Sequence, residues 1–551
     1  MNRKLKEKTK DIIRLSIPYT GANLLQAISE QATIALLAKT NASTLAAYGL
    51  LSLSYPINLL FTAPLTALPP IISALHGEND KQAIVTILQQ GWTTGLLLCI
   101  PQAIILTQAK PLLELLGQPK QLIAIAESSF YLNIITLPTT SLFITNKSYA
   151  YGTNRTLPLF LLSAVSLLSN VSLTAFLVLG PPKLGLKAYV FSAIGQGIIE
   201  NLAMTAYLKY ISSHEAYPFF TYTTHHYKPL AKRFLKLGGS TTAKILLIVI
   251  STTYKQLLIG LNGEKAILAT QAINVYTGYP RYINDAISMA ICTLIGQSIG
   301  KKDSESIRYY YQIALVSAVG TSLAFALPCF IIPDRILQLS NIEENEDFTF
   351  AKNLCYMNAI QLIVNAVSQI STGAFLGTED SIRPAVISFL TFLAVILPFS
   401  LSFHFFTDLG VLGIEWSYFS GSLVQAIAMP IFWNKKSNHL ASESERLDLI
   451  SIENDASKNS SDVAQLANHI ERTPEELTIE EKSEEMIIPF FENESSSLNS
   501  CSMSSCYLGE SNGSLSKFGT FKLYPTHTQP PMAADEQNVE IFLRENRNLS
   551  Q

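Results

Sequence analysis

Between Ile12 and Trp433 the chain is a succession of apolar stretches, each roughly 20 to 30 residues long, enough to span about 30 Å of hydrocarbon at 1.5 Å rise per residue. Hydrocarbon offers no partner to a backbone N–H or C=O, so stretches of this length have to become helices. The pattern predicts an all-α integral membrane protein with twelve transmembrane helices near 12–37, 45–75, 83–108, 121–146, 157–179, 186–211, 230–261, 266–299, 306–332, 350–376, 384–406 and 409–433. Composition agrees: 48% of residues are hydrophobic and 15% charged, with mean hydropathy +0.25, a balance foreign to a soluble domain with a polar surface. The net charge of −3 averages this apolar region with a polar tail.

Lys and Arg set the orientation. With both ends on one side, the connections on that side hold 20 of them, among them Lys4, Lys81, Lys147, Arg155, Lys228, Arg233, Lys301 and Lys436, against 8 on the other. The positive-inside rule therefore places the N-terminus, the 212–229 connection and the tail in the cytoplasm. The segment from Met1 to Arg14 is too charged, and the first span too long, for a cleaved signal peptide.

An internal repeat, at one nearly constant offset along the chain, divides the helices into two sets of six. SALHGENDKQ (73–82) matches GQSIGKKDSE (296–305), YAYGTNRTLP (149–158) matches AFLGTEDSIRP (374–384), and Leu184-Gly185 falls on Leu409-Gly410. Six is even, so both lobes share one orientation and are related by a pseudo-two-fold along the membrane normal, with the site expected between them near the midplane. The expected domains are a first lobe at 1–211, a connecting loop at 212–229, a second lobe at 230–433 and a disordered tail at 434–551.

Polar residues inside the spans fall at helical spacing. The first helix carries Tyr19, Asn23, Gln26, Glu30 and Thr33, the second Tyr55, Asn58, Thr62 and Thr66, and the seventh Ser240, Lys244, Ser251 and Lys255. The eighth carries Gln271, Asn274, Arg281 and Asp285, and the tenth Asn358, Gln361, Asn365 and Thr372. Single neutral residues of this kind usually glue helices together by hydrogen bonding. An ionised group at mid-membrane costs about 2.5 to 3.5 kcal/mol on insertion scales, so stripes bearing charge in both lobes point to a water-filled cavity. Glu30 is read as the leading proton or cation site in it, with Asp285 second; Arg281, four residues before Asp285, is as well suited to pairing with that acid as to meeting substrate. Lys147 and Glu200 are read as snorkelling at helix ends, and Glu415 as interfacial.

Soluble-enzyme motifs are missing. The sequence has no GxxxxGK[ST] loop, no HExxH and no CxxC in the membrane region, so neither nucleotide hydrolysis nor a metal site is supported and the chain is not read as an enzyme. Cys99, Cys292, Cys329 and Cys355 are expected to pack in apolar spans, Cys501 and Cys506 to be free thiols in the tail, and His225-His226 to be solvated. Basic segments are short and serve topology, which argues against nucleic-acid binding.

Taken together, IPxxxxxLLQ in the first helix, SALHGENDKQ, LLGQPKQL, GTNRTLP, Asn170 in the fifth helix, LGLKAY, LKLGGS, ATQAIN, LIGQSIGKKDSE and GAFLGTEDSIRP resemble the MATE family of multidrug and toxin extrusion transporters over about 430 residues. The resemblance implies alternating access, with inward H⁺ or Na⁺ exchanged for outward substrate, usually an amphipathic organic cation. It implies no cofactor beyond the coupling ion, a monomer, and a bacterial inner membrane. Placed by the same motifs, the family's helix-one aspartate falls at Thr33, the helix-five aspartate near Thr174, the helix-seven glutamate near Ile248 and the helix-ten aspartate near Asn365, so the usual coupling acids are absent or displaced. Glu30, supported by Asn23, Gln26, Thr33 and Asn170, then stands as the substitute.

Lys244 and Lys255 make an anionic or zwitterionic substrate a live alternative. So is a flippase for a lipid-linked anion, and so is a transporter-shaped protein that acts through its tail. That tail, rich in Ser, Glu and Asn, lacks a core-forming pattern and is read as disordered, with a protein partner open as its role.

Overall fold

The computed structural model describes residues 2–115, 117–215, 217–221, 227–339, 347–407 and 409–470. Among them every regular element is helical. Six helical units make each lobe. The first six are α1 (Asn2–Ala38), α2 (42–77), α3 (Lys81–Thr107), α4 (Lys120–Asn133 and Thr136–Gly152), α5 (Thr156–Leu179) and α6 (Leu186–Glu215). The second six are α7 (Tyr227–Gly260), α8 (Glu264–Gly300), α9 (Ser304–Ile331), α10 (Asp347–Gly377), α11 (382–406) and α12 (Gly410–Ile470). The expected helices all occur, and the chain is an all-α membrane protein with a twelve-helix, two-lobed fold.

Three units are interrupted where the sequence breaks the i to i−4 ladder. In α2, Pro64 and then Pro69-Pro70 force a 3₁₀ stretch at Ala63–Ala67, because proline lacks the N–H and its ring crowds the preceding turn. In α11 a π turn at Phe392–Ile396 precedes Pro398, and α4 bends by 49° between its two pieces.

The repeat is visible as backbone geometry. Asn79 and Lys302 both take left-handed φ, 60° and 58°, and each is followed by an aspartate that caps the next helix: Asp80 accepts from Ala83 N at 2.9 Å and Asp303 from Ser306 N at 3.2 Å. The other matched turn has Asn154 and Glu379 in the same conformation, φ 61° and 56°. In all four turns an amide reaches five residues back, as in Asp80 N to Leu75 O and Asp303 N to Ser298 O, closing the helix by the pairing that a left-handed residue permits. Gly185 and Gly410, at φ 55° and 53°, repeat in front of α6 and α12. These four turns lie at one end of the bundle, the motif end.

The lobes meet closely there. A Cβ on Gly77 would lie 2.4 Å from Gln297 O, and one on Gly300 2.1 Å from Ala74 O, so α2 and α8 touch backbone to backbone. Residues 217–221 of the connecting loop are not a loose linker. Tyr217 and Phe219 are buried beside Tyr149 in a core shared by α2, α3, α4, α6 and α7, and Gln89 Nε2 donates to the carbonyls of Phe219 and Thr221 at 3.0 and 2.8 Å. His225 and His226 lie outside the described residues.

One boundary moves. The last helix does not end at Trp433 but continues to Ile470, because nothing between Pro430 and Pro474 is a proline or glycine and polar residues other than these tolerate a helix. Its first turns past the span are anchored: Leu440 packs on the core of α9, α10 and α12, and Asn438 accepts from Arg308. Residues 471–551, with Cys501 and Cys506, lie outside the described residues.

Candidate functional site

A cavity of about 930 Å³ opens in the second lobe between α7, α8, α10, α11 and α12. Of the residues singled out from sequence, Lys244, Lys255, Asn274, Arg281, Asp285, Gln361 and Asn365 line it. The volume suits a drug-sized molecule, and the wall is lined mostly by polar and charged side chains with an apolar part at Leu247, Ile248, Ile259, Phe392 and Ile396. The Gln271 side chain lies outside the described residues. Asn58 is not on this wall; its Oδ1 is buried in α2 without a hydrogen bond.

The charges in the cavity are arranged differently from the sequence expectation. Arg281 and Asp285 form no ion pair with each other; Asp285 instead accepts a hydrogen bond from Gln369 of α10. One turn of helix offsets positions 281 and 285 along the axis, and the nearer donor to the carboxylate comes from the facing helix. Glu415, expected at the interface, is 1% exposed and pairs with Lys255 Nζ at 2.8 Å, while the Lys255 ammonium also lies 5.0 Å from the Tyr418 ring centre. Gly410 starts α12, so position 415 sits more than one turn inside and at the depth of Lys255.

The first-lobe group divides in two. Glu30 is exposed and belongs to neither cavity. Asp285 thus stands on the wall of the second-lobe cavity and Glu30 on an exposed face of α1. Thr33 turns away from that face and is 1% exposed, because a step of three positions falls short of a full helical turn.

Thr33 Oγ1 donates to Asn170 Oδ1 at 2.9 Å, Asn170 Nδ2 to Gln196 Oε1 at 2.7 Å, and Gln196 Nε2 to Glu200 Oε1 at 2.8 Å. Asn23, Gln26, Lys147 and Glu200 line a void of about 20 Å³ beside this chain of bonds, little more than the room one water needs. Glu200 is thus a member of a polar network inside the first lobe and does not snorkel at a helix end, while Lys147, on the same void, lies 5.6 and 5.8 Å from the Phe143 and Tyr151 ring centres. The Gln196 and Glu200 spacing of four residues, opposite Lys147, was the available sequence signal.

Three of the four positions to which the resemblance assigned coupling acids fall in these two regions. Ile248 and Asn365 line the large cavity. Thr33 belongs to the first-lobe network, and Thr174 is buried beside Ser192, whose hydroxyl it meets at 2.8 Å. Among the described residues no group of three or more His, Cys, Asp or Glu side chains is placed to hold a metal ion, and Cys99, Cys292, Cys329 and Cys355 are free and buried.

Comparison with known proteins agrees with this architecture. A family model described as MatE matches residues 18–176 and 240–401, more than half of the chain and parts of both lobes. The probable multidrug resistance protein NorM of Mannheimia succiniciproducens is 24% identical over 385 residues, 68% of this chain and 82% of its own. The multidrug resistance protein NorM of Aliivibrio fischeri is 24% identical over 447 residues, 78% of this chain and 95% of its own. A solved structure, described as the outward-facing conformation of a multidrug resistance MATE family transporter of the MOP superfamily, has a TM-score of 0.72 at 16% identity and covers 79% of this chain and 97% of that one. A MOP superfamily transporter from Pyrococcus furiosus, whose description says that reverse polarity of its binding pocket suggests a different function, gives 0.71 at 16% over the same shares. The chain belongs to the MatE family: it is a transporter and not an enzyme.

Proposed function

We propose that the chain is a secondary active exporter of small amphipathic molecules, driven by inward H⁺ or Na⁺ through alternating access. The observation that carries this reading is the cavity of about 930 Å³ in the second lobe, with the membrane-depth carboxylate of Asp285 on its wall, in a chain of the MatE family. A carboxylate at that depth is costly unless it binds a proton or cation, and a second one, Glu30, on the opposite lobe couples occupancy to the position of the lobes. The relatives named multidrug resistance protein NorM supply the substrate breadth.

The same reading places the motif end, both termini and the polar tail in the cytoplasm, in a bacterial inner membrane, with the transporter a monomer. Under that orientation the α2 and α8 contact seals the cytoplasmic side, and the conformer faces outward. Glu30 is the first choice for the coupling acid and Asp285 the second; Asn23, Gln26, Thr33 and Asn170 support the first lobe from within. Flux of a cation and anion substrate panel in proteoliposomes, under imposed pH or Na⁺ gradients, tests the assignment. Gradient-driven flux in the parent that is lost in Glu30→Gln supports it, and equal flux in both moves the coupling role to Asp285.

A second reading, movement of an anionic or lipid-linked substrate, is favoured by the cations Lys244, Lys255 and Arg281 on the cavity wall.

A further inference from the structure

We infer that Lys244 and Arg281 form an oxyanion subsite in the second-lobe cavity, and that the transported molecule carries a carboxylate, sulfonate or phosphate on an apolar body. The inference rests on the cavity being the substrate site of a transporter and adds the charge of the substrate.

The argument is one of charges left over. Three cations, Lys244, Lys255 and Arg281, stand on the wall, with Asp285 as the single acid among the lining residues. Glu415 lies directly behind Lys255 and neutralises it at 2.8 Å. Asp285 is occupied by the Gln369 amide. Three positive charges against two negative leave an excess of +1. Among the described residues neither Lys244 nor Arg281 has a carboxylate in ion-pair contact, and no nitrogen of the Arg281 fork donates a hydrogen bond. A guanidinium with its donors unspent is shaped for two parallel bonds to an oxyanion, and the Lys244 ammonium on the same cavity wall adds a second positive charge. Cavity water can solvate both, but two unpaired cations at this depth are then a standing cost without a return. Next to them the wall turns apolar, with Leu247, Ile248, Ile259, Phe392 and Ile396, which suits a hydrophobic body attached to the charged group.

The proposal also fixes the sign of an electrostatic effect. An anion held by Lys244 and Arg281 is repelled by Asp285, whereas a cation is attracted to Asp285 and repelled by the other two. Removing the Asp285 charge therefore tightens the one and weakens the other.

The test uses two aryl probes of matched size, naphthalenesulfonate and methylquinolinium, binding at equilibrium to the full chain in phosphatidylcholine nanodiscs. The expected result is preference for the sulfonate, weakened about tenfold or more by Arg281→Gln and by Lys244→Gln. Arg281→Lys should retain part of the affinity, and Asp285→Asn should tighten it by about threefold. A gain on Asp285→Asn cannot come from misfolding. Competition by phosphatidylglycerol would assign the oxyanion to a lipid headgroup, and its absence to a soluble amphiphile; either supports the subsite. Preference for methylquinolinium, or sulfonate binding indifferent to both Arg281→Gln and Lys244→Gln, overturns it. Because binding is read without a gradient, a chain that binds the sulfonate yet moves nothing overturns the export reading and leaves the subsite standing.

Discussion

Asn154, in the turn between α4 and α5, donates its amide to Gln297 Oε1 of α8 at 2.8 Å, and Gln297 Nε2 donates back to the Gly152 carbonyl at 2.9 Å. A single glutamine from the second lobe is thus held at both ends of its amide by one turn of the first. Each such bond contributes about 0.5 to 1.5 kcal/mol net, so Gln297→Ala is expected to raise the motif-end-open population by about tenfold. Distance distributions between spin labels at positions 79 and 302, on matched turns of the two lobes, check this; an unchanged distribution would show that the amide only fills space.

The glycines beneath that latch make a stronger claim. A Cβ on Gly300 meets the Ala74 carbonyl at 2.1 Å, and one on Gly77 meets the Gln297 carbonyl at 2.4 Å. Both obstacles are backbone, which cannot rotate away, so Gly300→Ala or Gly77→Ala should force the lobes apart at this end. The same label pair should report a longer mean distance, and flux should fall by about tenfold or more as the closed conformer loses population. A normal distance with normal flux would mean that α2 and α8 slide past each other at little cost.

The fold was legible in the sequence because hydrocarbon leaves a long apolar stretch only the helix to adopt, and the lobes because Gly77-x-x-Asp80 and Gly300-x-x-Asp303 write the same turn twice. The site was legible only in part. Helical spacing puts Lys244, Arg281, Asp285, Gln361 and Asn365 on inward faces, and they do line one cavity. It says nothing of how deep one helix sits against another, which is what joins Lys255 to Glu415 across 160 residues of sequence and Gln369 to Asp285 across 84. Steps of three and of four positions also miss a full turn on opposite sides, and that difference is enough to send Thr33 into the first lobe while Glu30 stays outside. Composition misled at the end of α12, where Ser, Asn and Glu read as disorder although no residue there breaks a helix.

The Lys255 and Glu415 pair is the part of the second lobe most sensitive to partial removal. Glu415 is 1% exposed, and its Oε1 has no hydrogen bond. Lys255→Met would strand that carboxylate, a loss typically worth about 3 to 5 kcal/mol for a buried charge, while replacing both partners by apolar residues is often neutral. Thermal unfolding in detergent should show Lys255→Met clearly destabilised and Lys255→Met with Glu415→Leu restored to near the parent. A double variant as unstable as the single one would give the pair a role in packing rather than in charge.

Acid should act first at the motif end. At 30 residues α6 is about 45 Å long, so its final turn projects beyond the hydrocarbon, and there Arg155 Nη1 donates to Glu215 Oε1 at 2.7 Å. The guanidinium, by hydrogen bonding and charge, holds the Glu215 carboxyl below the usual carboxylate range. A depressed folded value contributes stability that is present above the unfolded value, about 4.3 for Glu, and is lost as pH falls through the folded one. Between about pH 5 and pH 3 the parent should therefore lose more thermal stability than Arg155→Gln, with the two profiles parallel above about pH 6. Parallel profiles throughout would mean that the pair survives in the unfolded chain.

The first-lobe network separates a structural acid from a working one. Glu200 accepts from Gln196, which is tied through Asn170 to Thr33, and the adjoining void of about 20 Å³ leaves no room for substrate. Glu30, by contrast, is exposed on α1 and outside that network. Glu200→Gln keeps an acceptor for the Gln196 amide and should leave gradient-driven flux within about twofold, since it exchanges one hydrogen-bonding group for another of the same shape. Asn170→Leu removes the middle of the chain, leaves Gln196 Oε1 without its donor and Thr33 Oγ1 with the Ser29 carbonyl alone, and should lower stability by about 1 to 3 kcal/mol. Glu30→Gln should abolish the dependence of flux on the imposed gradient while leaving unfolding almost unchanged, because its carboxylate is exposed and holds no bond among the described residues. If Glu200→Gln were the variant that uncoupled flux from the gradient, the proton or cation would enter through the first lobe and Glu30 would be a surface charge of α1.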